Sequence, residues 1–109
     1  MSDGLGFSAG ASAVIRAEAE ADLADILDYI TIESSDATAA KYVGAILDHC
    51  DVLASLPTLG EPADDVMPGL RAAGFRKTTV IAYAVIGDRV NILAVFYGRR
   101  DWKARFQDR

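Results

Sequence analysis

The sequence contains very few of the residues that form metal, thiol and disulfide sites. Its 109 residues include one cysteine, Cys50, and one histidine, His49. A single cysteine excludes an intrachain disulfide. Side chains that are neighbours on a helix point about 100° apart, so these two are poorly placed to share a metal ion or to act as a catalytic pair. We therefore expect no metal or other cofactor, and a core position for Cys50.

Long apolar runs and phosphate-binding glycine motifs are also missing. No uncharged apolar stretch approaches the roughly 18 residues of a membrane helix. The opening MSDGLGFSAGA lacks the basic start and continuous apolar segment of a signal peptide. Its glycines do not follow a strand, so they do not form a dinucleotide-binding turn. We predict a flexible tail over residues 1–11, a single domain over residues 12–109, no membrane association and a cytoplasmic location.

Basic residues are scarce in the first two thirds of the chain and abundant in the rest. Residues 1–69 carry two basic and thirteen acidic side chains, a balance of −11, whereas residues 70–109 carry nine and three, a balance of +6. The sum is the net charge of −5. Such asymmetry suggests two different partner surfaces. The alternative is attraction between an acidic and a basic layer within one monomer.

Two segments carry apolar residues at helical spacing. The first runs from about residue 18 to residue 33, and the second runs from residue 39 to residue 54 and stops before Pro57. The intervening Ser34–Asp36 suits the start of a helix. A short connection between two amphipathic helices predicts an antiparallel helical hairpin.

Each stripe includes a leucine that we expect in the core. Leu27 lies on the first stripe and Leu47 on the second. Replacing either buried leucine by alanine would lower the free energy of unfolding by about 2–5 kcal/mol.

The remainder of the chain is rich in β-branched and aromatic residues. Gly87–Asp88 is a two-residue hairpin signal between two apolar runs. Alternation along the last run predicts Val90, Ile92 and Ala94 on one face, with Asn91, Leu93 and Val95 on the other. Trp102 and Phe106 at helical spacing suggest a short final helix. The predicted strands are residues 11–16, 70–75, 78–86 and 89–97.

The element order is strand, helix, helix and three strands. Each helix has one apolar stripe, so the hairpin needs a further apolar surface to cover. We therefore predict an α+β fold, in which an N-terminal strand is followed by an antiparallel helical hairpin packed on one face of a small antiparallel β-sheet.

Basic and aromatic residues cluster near the end of the predicted sheet. Arg71 opens a strand, and Arg99 and Arg100 follow the last strand beside Tyr97 and Trp102. Arginine binds phosphate or carboxylate in a two-pronged way, and an adjacent ring can stack on a base. These arginines have an alternative role, which is pairing with acidic residues of the same molecule.

Several segments resemble, in the same order, the ParE branch of the RelE/ParE toxins. They are ADLADILDYI (residues 21–30), ASLP (54–57), PGLR (68–71) and NILAVFYGRRDW (91–102). The resemblance covers about residues 13–102 and implies the same fold of a helical hairpin on a sheet.

The resemblance implies a toxin of a type II toxin–antitoxin system that inhibits DNA gyrase by binding, without being an enzyme. It further implies neutralisation by a ParD-like antitoxin, which alone would contact operator DNA. The acidic net charge, and a loop before Arg71 that has no lysine and three acidic residues, favour gyrase over the ribosome as target. The alternatives are a metal-independent, ribosome-dependent mRNA endoribonuclease and a non-toxic partner-binding module.

We assign candidate residues to each role on this basis. Residues of the nuclease alternative would be Arg71, Tyr97 and Arg99. Target-binding candidates are the basic and aromatic residues Arg71, Arg99, Arg100, Trp102 and Lys103. Antitoxin-binding candidates are apolar or aromatic helix residues, with a core role as the alternative for each: Leu23, Ile26, Tyr29, Ile30 and Tyr42.

Overall fold

The fold follows the predicted order of elements. A computed structural model describes residues 12–98 and 102–107, so the predicted tail over residues 1–11 lies outside the described residues. The strands are β1 (Val14–Ile15), β2 (Glu61–Pro62), β3 (Leu70–Phe75), β4 (Thr79–Ile86) and β5 (Arg89–Tyr97), and the helices are α1 (Ala17–Glu33), α2 (Asp36–Ser55) and α3 (Lys103–Gln107).

The five strands form one sheet in the order β1-β5-β4-β3-β2. Strands β2 to β5 pair antiparallel, and the helical hairpin packs on one face, which confirms the predicted fold class. β1 differs in pairing parallel to β5, with Val14 opposite Asn91. Hairpin turns fix the direction of β3, β4 and β5, but no hairpin joins β1 to β5, so no local sequence pattern indicates this direction.

A bulge in β5 overturns the simple alternation predicted for that strand. Ala82 pairs with Ala94 and Tyr83 pairs with Ile92, which leaves Leu93 without a partner. One extra residue shifts the alternation, so Val95 joins Ile92 on the helix face and Ala94 lies on the opposite face. The prediction was therefore wrong from Ala94 onwards.

The main core lies between the sheet and the helical hairpin. Apolar residues at helical spacing face inwards from both helices, including Ile26, Ile46 and Leu53. Leu27 and Leu47 do not join them, since 37% and 39% of these side chains is exposed. The prediction that both are core residues was wrong, because the sheet covers a narrower arc of each helix than the apolar stripe occupies.

The start of α2 is capped as its sequence predicts. The hydroxyl of Ser35 accepts a hydrogen bond from the backbone N–H of Thr38 at 3.1 Å, which satisfies one of the unpaired donors of the first turn. Among the residues that the structure describes, no helix is long and apolar enough to cross a membrane.

A smaller apolar cluster covers the second face of the sheet. Phe106 from α3 packs with Ala82 and Ala94 of the sheet and with Ala63 and Leu70. The short final helix is thus present, and it closes a face that the helical hairpin leaves open.

Candidate functional site

Arg71 is held at a corner of the sheet by the segment that follows α2. Its Nη1 donates a hydrogen bond to the carbonyl oxygen of Gly60 at 2.5 Å. The buried hydroxyl of Tyr83, the residue opposite Arg71 on β4, accepts from the N–H of Gly60 at 2.8 Å and donates to the carbonyl of Pro57 at 2.6 Å. A Cβ atom at Gly60 would lie 2.5 Å from that hydroxyl oxygen, so only glycine fits.

This corner gives Arg71 a structural role. Three hydrogen bonds, one to the Arg71 guanidinium and two to the Tyr83 hydroxyl, fix the Pro57–Gly60 segment, where the chain turns from α2 back to the sheet. A guanidinium that satisfies a backbone carbonyl has fewer donors left for a phosphate. Arg71 is half-buried, and its position supports the loop before it.

Tyr97 belongs to a row of rings on the helix face, which we call the aromatic row. Its ring centre lies 5.7 Å from that of Tyr29 and 5.6 Å from that of Tyr42. The row continues from Tyr42 to Phe75 at 5.9 Å, and from Phe75 to His49 at 5.3 Å. Tilted and edge-to-face ring pairs at these distances stabilise one another.

The structure does not bring Arg71 and Tyr97 together. Arg71 lies opposite Tyr83 on β4, and Tyr97 lies opposite Thr79 across the other side of the same strand. Four residues along β4 and two strand spacings separate them, which is about 13 Å along the strands and about 10 Å across them. Arg99, the third residue of the nuclease alternative, lies outside the described residues, as does Arg100.

Trp102 and Lys103 lie at the second face of the sheet. The half-buried Trp102 ring packs near Phe96 and Phe106, with ring centres 6.2 and 6.3 Å away, and the Nζ of Lys103 lies 5.9 Å from the Trp102 ring centre. Both residues line a cleft of about 490 Å³, which Glu61 and Asp65 also line. The cleft therefore presents charges of both signs.

One contact that joins α1 to β5 and α3 was not predicted. The carboxylate of Asp22 on α1 accepts a hydrogen bond from the N–H of Val95 at 2.9 Å and forms an ion pair with Arg105 of α3. β1 pairs with β5 only at Asn91 and Ile92, so Val95 lies beyond the end of β1. The Asp22 side chain takes the place of a β1 carbonyl as the acceptor for the Val95 N–H. Asp22 and Val95 are 73 residues apart in the chain, and no local pattern marks such a long-range contact.

The five antitoxin-binding candidates divide into two groups. Leu23, Ile26 and Ile30 are buried in the main core, which leaves little of them for a partner to contact. Tyr29 is 53% exposed, and Tyr42 is half-buried. The exposed members of the candidate set, Tyr29 and Tyr42, therefore both belong to the aromatic row.

Cys50 and His49 form no reactive pair. Cys50 is buried, and desolvation, with a smaller contribution from Asp51, raises the pKa of its thiol to about 12. The thiol thus stays protonated and is a poor nucleophile at neutral pH. Over residues 12–98 and 102–107, no group of three or more histidine, cysteine, aspartate or glutamate side chains could hold a metal ion.

Comparison with known proteins identifies the family. The chain matches the family model of the ParE toxin of the type II toxin–antitoxin system, parDE, over residues 13–102. The chain belongs to this family. The resemblance found in the sequence is confirmed over the range that the motifs indicated.

The fold of this ParE family member is also similar to that of a solved structure. The chain has a TM-score of 0.70 and 24% sequence identity to a chain of the chromosomal ParDE toxin–antitoxin system from P. aeruginosa. The match covers 83% of the present chain and 98% of the other. A comparison with curated proteins gives no match.

Proposed function

We propose that this ParE family member inhibits DNA gyrase by direct binding and that a ParD-like antitoxin neutralises it. Membership of the toxin family over residues 13–102 is the observation that carries the proposal. The solved relative is described as a ParDE toxin–antitoxin system, which supports an antitoxin as partner.

The arrangement of the candidate residues favours binding over RNA cleavage. General acid–base catalysis needs its groups within hydrogen-bond reach of the same reacting atoms. Arg71 is bound to the Gly60 carbonyl, and Tyr97 lies in the aromatic row on the far side of β4. These two residues therefore do not supply a shared site for the nuclease alternative.

The proposed target surface includes Trp102 and Lys103 at the second face, together with Arg99 and Arg100. Lys103 is exposed and stays close to the Trp102 ring, so it can meet an acidic group on a partner without a change in the core. Arg71 supports this surface indirectly, by holding the loop that carries Glu61 and Asp65 along the same cleft.

A supercoiling assay with purified gyrase and purified toxin tests the proposal. We expect loss of supercoiling and accumulation of cleaved DNA, while messages in a translating extract remain intact. Lys103→Gln should weaken inhibition, and Lys41→Gln, which removes an exposed lysine from α2, is the matched control. Cleavage of messages with normal supercoiling would contradict the proposal and favour the nuclease. Unchanged growth on expression without a partner, with neither effect, would favour a non-toxic binding module.

A further inference from the structure

The turn between β3 and β4 holds two cations in a strained backbone conformation. Arg76 and Lys77 have φ angles of 51° and 63°, and the N–H of Thr78 donates to the carbonyl of Phe75 at 3.2 Å. These are the features of a type I′ turn, for which Asn-Gly and Asp-Gly are the favoured sequences. Two long side chains in the left-handed region are unusual, and such strain is concentrated at functional sites. We call Arg76 and Lys77 the basic turn.

Contacts with α2 fix the basic turn against the aromatic row. The guanidinium carbon of Arg76 lies 5.0 Å from the ring centre of Phe75 and 5.9 Å from that of Tyr42. The Tyr42 hydroxyl is 2.7 Å from the hydroxyls of both Thr78 and Thr79. A guanidinium packed on rings keeps the N–H donors in its own plane available for a ligand. The rings also hold the guanidinium in position before a ligand binds.

The basic turn has no acidic partner among the residues that the structure describes. Arg105 and Asp22 form the ion pair found in those parts of the chain, and Arg76 and Lys77 form none. The N–H of Gly98 donates to the carbonyl of Thr78 at 2.6 Å, and the next two residues in the sequence are Arg99 and Arg100. In the sequence, two further cations thus follow the end of β5 that lies next to the basic turn.

The chemistry of this surface favours an acidic protein segment over a nucleic acid. Tyrosine and arginine are enriched among the residues that dominate protein–protein binding energy. Tyr29 at the end of the aromatic row is 53% exposed, and it offers apolar area two rings along from Tyr42, which the Arg76 guanidinium contacts. A polyanion such as DNA would also meet the repulsion of a chain with net charge −5.

We propose that the basic turn and the aromatic row together bind a segment of the antitoxin in which acidic side chains stand next to apolar ones. The carboxylates contact Arg76 and Lys77, and the apolar side chains cover Tyr29 and Tyr97. This inference rests on the proposed function for the existence of the antitoxin, and it adds residues that the sequence did not suggest.

The test is a titration of isotope-labelled toxin with a synthetic peptide in which glutamate and leucine alternate, followed by NMR. We expect amide shifts at Phe75–Thr79, Tyr42 and Tyr97. Arg76→Gln and Lys77→Gln should each weaken binding by about tenfold, which is the loss of one charge-assisted contact. Arg89→Gln is the matched control, because Arg89 is an exposed arginine beside the Gly87–Asp88 turn. Its peptide affinity should equal that of the unmodified toxin.

A second variant separates binding from folding. Arg76→Asn with Lys77→Gly gives the favoured residues of a type I′ turn, so its melting temperature should rise while peptide binding is lost. Binding equal to that of the unmodified toxin would overturn the proposal. So would equal binding of a peptide with lysine in place of glutamate, or the same shifts with a mixed-sequence DNA duplex and none with the acidic peptide. The gyrase assay is independent of these measurements, so failure of either proposal can be recognised separately.

Discussion

The two faces of the sheet are covered in different ways. Two long amphipathic helices cover one face and bury a large core that includes Ile46, Leu53 and Ile81. A loop and the five-residue α3 cover the other face, and they bury a smaller cluster around Phe106. Stability therefore resides mainly on the helix face. The second face can accommodate changes with less effect on the whole fold, and two of the proposed target-binding residues lie there.

The largest expected effect is on the helix face. Leu53→Ala should lower the free energy of unfolding by about 2–5 kcal/mol, because the side chain is fully buried and its removal leaves a cavity. Leu47→Ala on the same helix should cost roughly 1 kcal/mol, since that side chain is partly exposed. Urea denaturation of the two variants measures both values. Equal losses would show that the two sides of α2 do not differ as described.

A smaller and more local effect is expected on the second face. Phe106→Ala should lower stability by about 1–2 kcal/mol, because α3 can detach while the main core stays closed. Trp102 is the only tryptophan, so its emission should shift to the red. Hydrogen exchange should rise over residues 102–107 and remain slow in α2. A loss as large as that of Leu53→Ala, with exchange raised throughout α2, would contradict the difference between the faces.

The smallest effect concerns the contact of Asp22 on α1 with Val95 and Arg105. Asp22→Asn keeps an oxygen that can accept from Val95 but removes the charge that faces Arg105. The loss should be roughly 0.5–1 kcal/mol and should shrink as salt is added. Asp28→Asn is the control, because Asp28 is exposed on the same helix. A loss that does not depend on salt would mean that a weaker hydrogen bond between Val95 and the new amide, and not the lost charge facing Arg105, accounts for it.

Local patterns allowed prediction of the elements but not of their exceptions. The apolar stripes of α1 and α2 and the Gly87–Asp88 turn specified the helices and one hairpin, because each signal lies within a short stretch of sequence. The parallel pairing of β1 and the bulge at Leu93 depend on residues far apart in the chain. The exposure of Leu27 depends on how much of the α1 surface the sheet covers. The spacing of apolar residues alone does not indicate the width of that covered surface.

The candidate site could be predicted in composition but not in arrangement. The sequence shows that Arg71 and Tyr97 belong to a basic and aromatic region, yet it does not show that they lie on opposite sides of β4. The basic turn was missed because Arg-Lys is not a turn signal. Its conformation is visible only in the folded sheet, where Phe75 pairs with Thr79 and the turn connects them.

The unpaired residue of β5, Leu93, determines which face of the sheet each later side chain of that strand occupies. Deletion of Leu93 would leave Ala94 opposite Ala82 and every later side chain of the strand on its present face. If Leu93 instead took a place in the ladder, every later side chain would move to the opposite face. Tyr97 would then leave Tyr29 and Tyr42, and Phe96 would take its place on the helix side. The extra residue therefore decides which of the two proposed binding surfaces each later side chain of β5 joins.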